Sequence, residues 1–280
     1  MTYREFWHKL LPIYHEHEAK EIARLIYEEQ FGLSFADICM GKDTDLSVNE
    51  VDNLQKILAR LLTYEPVQYI LGKETFKGRE FVVNSDVLIP RPETEELCDW
   101  ILANFQGRTD DSLQILDIGT GSGCIAITLA IELQRANITA WDISPKALQT
   151  AKENAQKLGA RVDFLEQDAL NSPGDKEKWN LIVSNPPYIS FAEQRYMERN
   201  VLDYEPAEAL FPPTGEPSLF YMEISNYARL ALKHHGMLYF EMNPLVSVQV
   251  AEFLYLQGFV DVEIKKDQFG KERFVKAIKP

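Results

Sequence analysis

The chain has 280 residues, and 29 Lys plus Arg against 43 Asp plus Glu give a formal charge of −14 with His neutral. That length suits about two domains and closes a core without metals or disulfides. A composition 45% hydrophobic and 26% charged excludes a disordered chain. The acidity counts against a protein that holds duplex nucleic acid by neutralising phosphates. Cys39, Cys98 and Cys124 are scattered without a CxxC pair, so neither a disulfide framework nor a metal site is expected. Met1-Thr2-Tyr3-Arg4-Glu5 carries charge where a signal peptide needs an apolar run. The longest apolar stretch, Cys124 to Ile131, falls short of the roughly 18 residues of a membrane span. The cytoplasm is the expected compartment.

The first 74 residues read as a small helical domain. Ile22, Leu25 and Ile26 share a face. Ser47-Val48-Asn49-Glu50 has the form of a capping box, with Val51, Leu54, Leu58, Leu61 and Leu62 at helical spacing behind it. Pro66 is expected to end that helix. Residues 75–84 read as a hairpin turning at Gly78. Leu88-Ile89-Pro90-Arg91-Pro92-Glu93-Thr94-Glu95 reads as a stiff extended linker, because each proline fixes its own φ and extends the residue before it. The third region, 96–280, alternates strands and helices. Strands are expected at Ile115–Ile118, Ile138–Asp142, Val162–Glu166, Leu181–Ser184 and Met237–Glu241. Ser144 is placed as an N-cap, Pro145 at the first helical position and Gly159 at the helix stop. Strands spaced by helices imply an α/β, doubly wound parallel sheet. Val260–Lys265 and Phe274–Ile278 have hairpin spacing and should add an antiparallel edge.

Two loops hold the candidate chemistry. Asp117-Ile118-Gly119-Thr120-Gly121-Ser122-Gly123 follows a strand and opens a helix. Glycines there permit a tight turn and close approach of a ligand to the backbone, and the helix N-terminus offers N–H groups. Cys124 stands where the third glycine of a dinucleotide fingerprint belongs, so the loop favours a nucleoside without a pyrophosphate. Asp142 lies 19 residues after Gly123, the spacing of a carboxylate that binds ribose hydroxyls. Asp168-Ala169, after the third strand, is placed to meet a base edge. The second loop, Asn185-Pro186-Pro187-Tyr188, lacks two backbone donors and presents carbonyls. The oxygen of Asn185 and the carbonyl of Pro186 could each take one hydrogen of an NH2 group. Tyr188 offers a flat face to a planar group.

With Leu116-Asp117-Ile118-Gly119-Thr120-Gly121-Ser122-Gly123 before it, this tetrapeptide resembles class I S-adenosylmethionine-dependent methyltransferases acting on planar nitrogen. Glu65-Pro66-Val67-Gln68-Tyr69-Ile70-Leu71-Gly72, Leu88 to Glu95, and Tyr204-Glu205-Pro206 with Ala209-Leu210 are similar to the PrmC/HemK family. The resemblance runs from about Glu65 to the C-terminus, with a helical domain in the expected place. It implies a Rossmann-like class I methyltransferase sheet. The implied activity is transfer of a methyl group from S-adenosyl-L-methionine to the side-chain amide nitrogen (N5) of the glutamine in the Gly-Gly-Gln motif of class 1 peptide-chain release factors. It implies donor binding by Gly119, Thr120, Gly121, Ser122, Gly123, Asp142, Asp168, Ala169 and Asn185. Catalysis falls to Asn185, Pro186 and Tyr188, and substrate binding to Asn185, Pro186, Pro187, Tyr188 and Arg91. Residues 1–74 become a substrate-recognition domain, 75–95 a linker and 96–280 the methyltransferase domain.

One departure stands out. The family pattern Glu-x-Gly-x-x-Gln after the fifth strand reads Glu241-Met242-Asn243-Pro244-Leu245-Val246 here, a strand end expected to lie peripheral to the methyl donor. His8, His15, His17, His234 and His235 lie away from the strand ends, and no general base announces itself. The main alternative is an N6-adenine-type DNA or RNA methyltransferase, disfavoured by the charge. A stable nucleic-acid complex and a membrane partner are not expected. A non-catalytic adaptor and a nicotinamide-dependent oxidoreductase are weaker readings, set against the intact Asn185 loop and Cys124.

Overall fold

A computed structural model of the protein describes residues 1–105 and 113–280. The chain divides into two compact units, residues 1–73 with 198–204, and residues 74–197 with 205–280. In the first unit, helices α1 (Tyr3–Leu10), α2 (Glu16–Phe31), α3 (Phe35–Cys39), α4 (Val48–Leu61) and α5 (Val67–Leu71) share one apolar core. The capping box forms as expected: Glu50 N–H donates to Ser47 Oγ at 3.3 Å and Ser47 N–H to Glu50 Oε2 at 2.7 Å. Leu54, Ile57, Leu58 and Leu61 then turn inward against Phe6, Leu10, Ile26 and Tyr27. Two expectations need correction. Helix α4 ends at Leu61, leaving Leu62 exposed, and Pro66 starts the next helix as its N-cap, where a missing N–H costs nothing.

The hairpin β1 (Lys73–Phe76) and β2 (Arg79–Val82) starts on the last residue of the first segment and otherwise belongs to the second unit. The extended linker stops at Arg91, because Pro92 already begins α6 (Pro92–Phe105), where its fixed φ suits a first helical turn. Next come β3 (Gln114–Ile118), α7 (Cys124–Glu132), β4 (Asn137–Asp142), α8 (Pro145–Leu158), β5 (Val162–Glu166) and β6 (Trp179–Ser184). After them follow α9 (Arg199–Tyr204, in the first unit), α10 (Ala207–Leu210), α11 (Leu219–Ala231), β7 (Leu232–Glu241), α12 (Ser247–Leu256), β8 (Val260–Lys266) and β9 (Glu272–Ile278).

The seven-stranded sheet has the order β5-β4-β3-β6-β7-β9-β8. The first five strands are parallel, and β9 runs antiparallel to both β7 and β8. Alternate residues feed opposite faces. Ile115, Leu181, Val183 and Tyr239 pack towards α6 and α7, whereas Leu116, Ile182, Leu238 and Phe240 join a second core with α11 and α12. The parallel α/β sheet with its antiparallel C-terminal hairpin is the one expected. Ser144, Pro145 and Gly159 sit at the cap, first and stop positions of α8.

Candidate functional site

β3 lies where the sheet order reverses, with β4 and β5 on one side and β6 and β7 on the other. In such sheets a crevice opens beyond the carboxyl ends of the strands at this point. Ile118, the last residue of β3, is in register with Ser184, the last of β6. The two candidate loops therefore leave the sheet side by side. A cavity of about 320 Å³ opens between them, within the range of small-molecule sites.

Gly119 and Gly121 line this cavity. Gly121 has φ +54°, and a Cβ there would meet no protein atom within 4 Å, so the backbone is laid open to a ligand. Gly123 has φ +83°, and a Cβ would come within 2.8 Å of Ile127 Cδ1 and 3.2 Å of Ala151 Cβ. It lets the start of α7 sit against α8. Gly119 and Thr120 both donate to the carbonyl of Trp141 at 2.9 Å. Behind the loop, buried Asp117 accepts from Thr120 Oγ1 at 2.7 Å and from Ala126 N–H at 3.2 Å, all through Oδ2. Its Oδ1 is buried without a partner. Burial pushes this carboxyl up to about 7, against the two hydrogen bonds.

Asp142, at the end of β4, lines the cavity. One of its oxygens accepts from Gly121 N–H at 2.8 Å and the other from Ser144 N–H at 2.9 Å. Each keeps a further lone pair. Burial raises its pKa, opposed by those N–H groups, with Glu208 adding a smaller upward push. Asp168 and Ala169 line the same cavity, together with exposed Ile143 and Leu170. Asp168 caps the following turn through Leu170 N–H at 2.8 Å. Acceptors on one wall, apolar side chains on another and bare backbone at the glycines suit a nucleoside.

Asn185, Pro186 and Pro187 form the opposite wall. Asn185 Nδ2 donates to Thr94 Oγ1 at 3.3 Å, and Thr94 Oγ1 donates to Glu241 Oε2 at 2.7 Å. Tyr188 is placed differently from expectation. Its side chain is absent from the cavity wall, packs on the α11–α12 side of the sheet and sends its hydroxyl to Glu241 Oε1 at 3.4 Å. Burial raises the tyrosine pKa. Burial also pushes the Glu241 carboxyl up to about 7, opposed by the Thr94 hydroxyl and Arg273. The strand end is thus tied to the Asn185 loop, through Thr94 to Asn185 and directly to Tyr188. Asn243 strengthens the tie. It is buried, and its Nδ2 donates to the carbonyl of Tyr188 at 3.1 Å and to both carboxylate oxygens of Glu193 at 3.2 and 3.1 Å.

Of the expected residues, Gly119, Gly121, Asp142, Asp168, Ala169, Asn185, Pro186 and Pro187 meet at the cavity. Thr120, Ser122, Gly123 and Tyr188 stand behind its walls. Arg91 is also outside the lining, where its guanidinium pairs with buried Glu205, whose other oxygen accepts from Ile89 N–H at 3.2 Å. Sequence reasoning assigned no role to Thr94, Glu208, Ser184 or Asn154. Asn154 had a signal, since it falls on the apolar stripe of α8 between Ala151 and Leu158. It is fully buried and holds Val82 and the Ser122 carbonyl, tying β2 to the glycine loop.

Two family descriptions match: Methyltransferase small domain over residues 98–235 and PrmC N-terminal domain over residues 8–72. A release factor glutamine methyltransferase of Bacteroides thetaiotaomicron is 43% identical over 269 residues, covering 96% of this chain and 95% of the relative. One of Flavobacterium psychrophilum is 39% identical over 273 residues, covering 97% and 96%. One of Bacillus subtilis is 44% identical over 219 residues, covering 76% and 75%. Among solved structures, a methyltransferase from Pyrococcus furiosus aligns with a TM-score of 0.51 at 17% identity, covering 80% of this chain and 98% of that one. That likeness concerns the fold.

Proposed function

The chain belongs to the release factor glutamine methyltransferase family, and on that premise we propose how its cavity performs the reaction. The enzyme transfers a methyl group from S-adenosyl-L-methionine to the N5 amide nitrogen of the glutamine in the Gly-Gly-Gln motif of class 1 peptide-chain release factors. One observation supports the site assignment above the rest. An open glycine loop and an asparagine loop flank one cavity, where a nucleoside donor and a planar amide can be held in contact.

The residues present fit the donor, which supplies an activated methyl group on a sulfonium sulfur. Gly119 and Gly121 admit it against bare backbone. Asp142 accepts its ribose hydroxyls while keeping Gly121 in place. Asp168 and Ala169 border the adenine, beside the apolar surface of Ile143 and Leu170. On the far wall, Asn185 Oδ1 and the Pro186 carbonyl accept the two hydrogens of the substrate amide. An amide nitrogen is a poor nucleophile because its lone pair is shared with its carbonyl. Acceptors fixed at both hydrogens favour the positive charge that develops as the nitrogen attacks. Holding nitrogen and methyl carbon in line contributes proximity. Tyr188 braces this loop from behind, and Arg91 shapes the approach through Glu205. The helical unit serves recognition of the protein substrate, since the cavity is lined by the other unit alone. The cytoplasm follows as the compartment, because release factors act on ribosomes.

Mass spectrometry tests this reading. A purified class 1 release factor incubated with enzyme and donor should gain one methyl group, on the Gly-Gly-Gln peptide. Label entering nucleic acid and not protein would transfer the chain to the adenine-methylating class.

A further inference from the structure

The side chain of Asn185 has two ends of nearly equal size and opposite chemistry, an acceptor oxygen and a donor NH2. Packing alone does not choose between them. The choice decides the chemistry, because only the oxygen can take a hydrogen from a substrate amide. Thr94 makes the choice. Its hydroxyl has one proton, and with Glu241 ionised, as it is at pH 8.5, that proton is directed to Glu241 Oε2 at 2.7 Å. Only lone pairs remain on Thr94 Oγ1. The end of Asn185 that faces it at 3.3 Å is therefore the NH2 end, and Oδ1 is left for the cavity that Asn185 lines. Turning the amide over would set two acceptor oxygens against each other and lose the bond.

The chain of bonds is protected and braced. Thr94 is 3% exposed and Glu241 is 2% exposed, so water does not compete. The second oxygen of Glu241 receives the Tyr188 hydroxyl, from the same loop as Asn185. The elements that meet here are remote in sequence: the first turn of α6, the end of β7 and the loop after β6. We propose that Thr94 and Glu241 are positioning residues that hold the Asn185 oxygen towards the substrate, and that they thereby set the preference for glutamine over glutamate. The proposal rests on the acceptor role assigned to Asn185 above.

The test compares Thr94→Val, Thr94→Ser and Asn185→Ala at pH 8.5, with release factor as substrate and with its Gly-Gly-Glu counterpart as competitor. Thr94→Val should lower kcat about tenfold or more, the size of one lost hydrogen bond to a charged group. Donor Kd should stay within about twofold, since Thr94 is outside the cavity lining. Thr94→Ser should restore most of the turnover. The Val variant should also bind the Glu competitor better relative to the Gln substrate, because a free carboxamide can turn its NH2 to a carboxylate. A loss of packing alone would leave that ratio unchanged. If the Val variant does not fold, Thr94→Ala removes the same hydroxyl without changing the partners, and the same quantities are read. Near-normal kcat in the Val or Ala variant alongside a crippled Asn185→Ala overturns the positioning role and leaves the acceptor role standing. Equal losses in Val and Ser, or an unchanged competitor ratio, also overturn it. Normal turnover by Asn185→Ala overturns the acceptor role on which it rests.

Discussion

Ser184 donates its hydroxyl to the main-chain carbonyl of Ile118 at 2.7 Å. The two residues end adjacent parallel strands in register. One more residue along each strand begins a candidate loop, Gly119 on one side and Asn185 on the other. This buried bond adds to the strand ladder at the point where the glycine loop and the asparagine loop leave the sheet.

Ser184→Ala should leave the buried Ile118 carbonyl short of a partner. A loss of about 1–3 kcal/mol in stability is expected, read from urea unfolding. Turnover should fall with it, more than donor affinity, because relative placement and not either wall is disturbed. Unchanged stability would show that the hydroxyl contributes nothing to the junction.

Asp142→Ala should weaken donor binding about ten- to a hundredfold, since a hydrogen bond to a charged group is worth roughly 1.5–3 kcal/mol. Two effects add here. The acceptor proposed for ribose hydroxyls is lost, and so is the anchor of Gly121 N–H and Ser144 N–H. Asp142→Asn keeps one oxygen and should lose less. Calorimetry with unchanged donor affinity in the Ala variant would move the ribose contact to another carboxylate.

What the sequence revealed and what it hid divide along a physical line. The caps at Ser47 and Ser144, the stop at Gly159 and the glycine loop are coded within a few residues, and all stand where spacing put them. Asp142 was legible because strand, loop and helix lengths in a parallel unit fix its distance from Gly123. The hidden parts are contacts between distant segments. Thr94 meets Glu241 across 147 positions and Arg91 meets Glu205 across 114. Nothing local marks a threonine in a helix's first turn as the partner of a strand end. Tyr188 misled for the same reason: a loop aromatic beside a site reads as a platform, until the fold shows a carboxylate buried behind it.

Asn185→Ala should spare the donor site and the fold, because its losses concern the acceptor. A fall of about a hundred- to a thousandfold in kcat is expected, by analogy with the roughly 2.7–4 kcal/mol lost with one oxyanion-hole donor. Replacing the target glutamine by glutamate should abolish transfer, since a carboxylate has no hydrogens to give. Single-turnover kinetics with saturating donor distinguish this from Asp142→Ala, whose defect saturating donor relieves.

Stability should depend on pH in a defined direction. Burial lifts the carboxyls of Asp117 and Glu241 to about 7 from ordinary values of 3.8 and 4.5. Glu241 is faced by Glu93, which adds to the lift, and by Arg273, Thr94 and Tyr188, which oppose it. The folded chain keeps protons that the unfolded chain has released. The stability from these groups is full below about pH 4, declines as pH rises towards 7 and is flat above. A tenfold change in proton affinity is worth about 1.4 kcal/mol, so the decline is on the order of 4–5 kcal/mol for Asp117 and 3–4 kcal/mol for Glu241. Glu241→Gln should flatten part of the slope in urea unfolding between about pH 4.5 and 8. Superimposable curves for the two proteins would remove Glu241 from the account.

The net charge of −14 predicts a salt effect that separates the two substrates. Release factors work against ribosomal RNA, so the surface around their glutamine loop is expected to be basic. An acidic enzyme should draw such a surface in through long-range attraction, which acts on the rate of encounter. At about 0.1 M salt the screening length is about 10 Å, and near 1 M about 3 Å. kcat/KM for the release factor should therefore fall as ionic strength rises. Donor affinity should barely move, because the contacts proposed for it at Gly121 and Asp142 lie inside a cavity and act over bonding distances. The measurement is initial rates at low release factor and saturating donor across a salt series, with calorimetric donor titrations at each point. A flat kcat/KM would mean that the acidic balance serves solubility and not capture. Parallel losses in both quantities would locate the salt effect in the cavity itself.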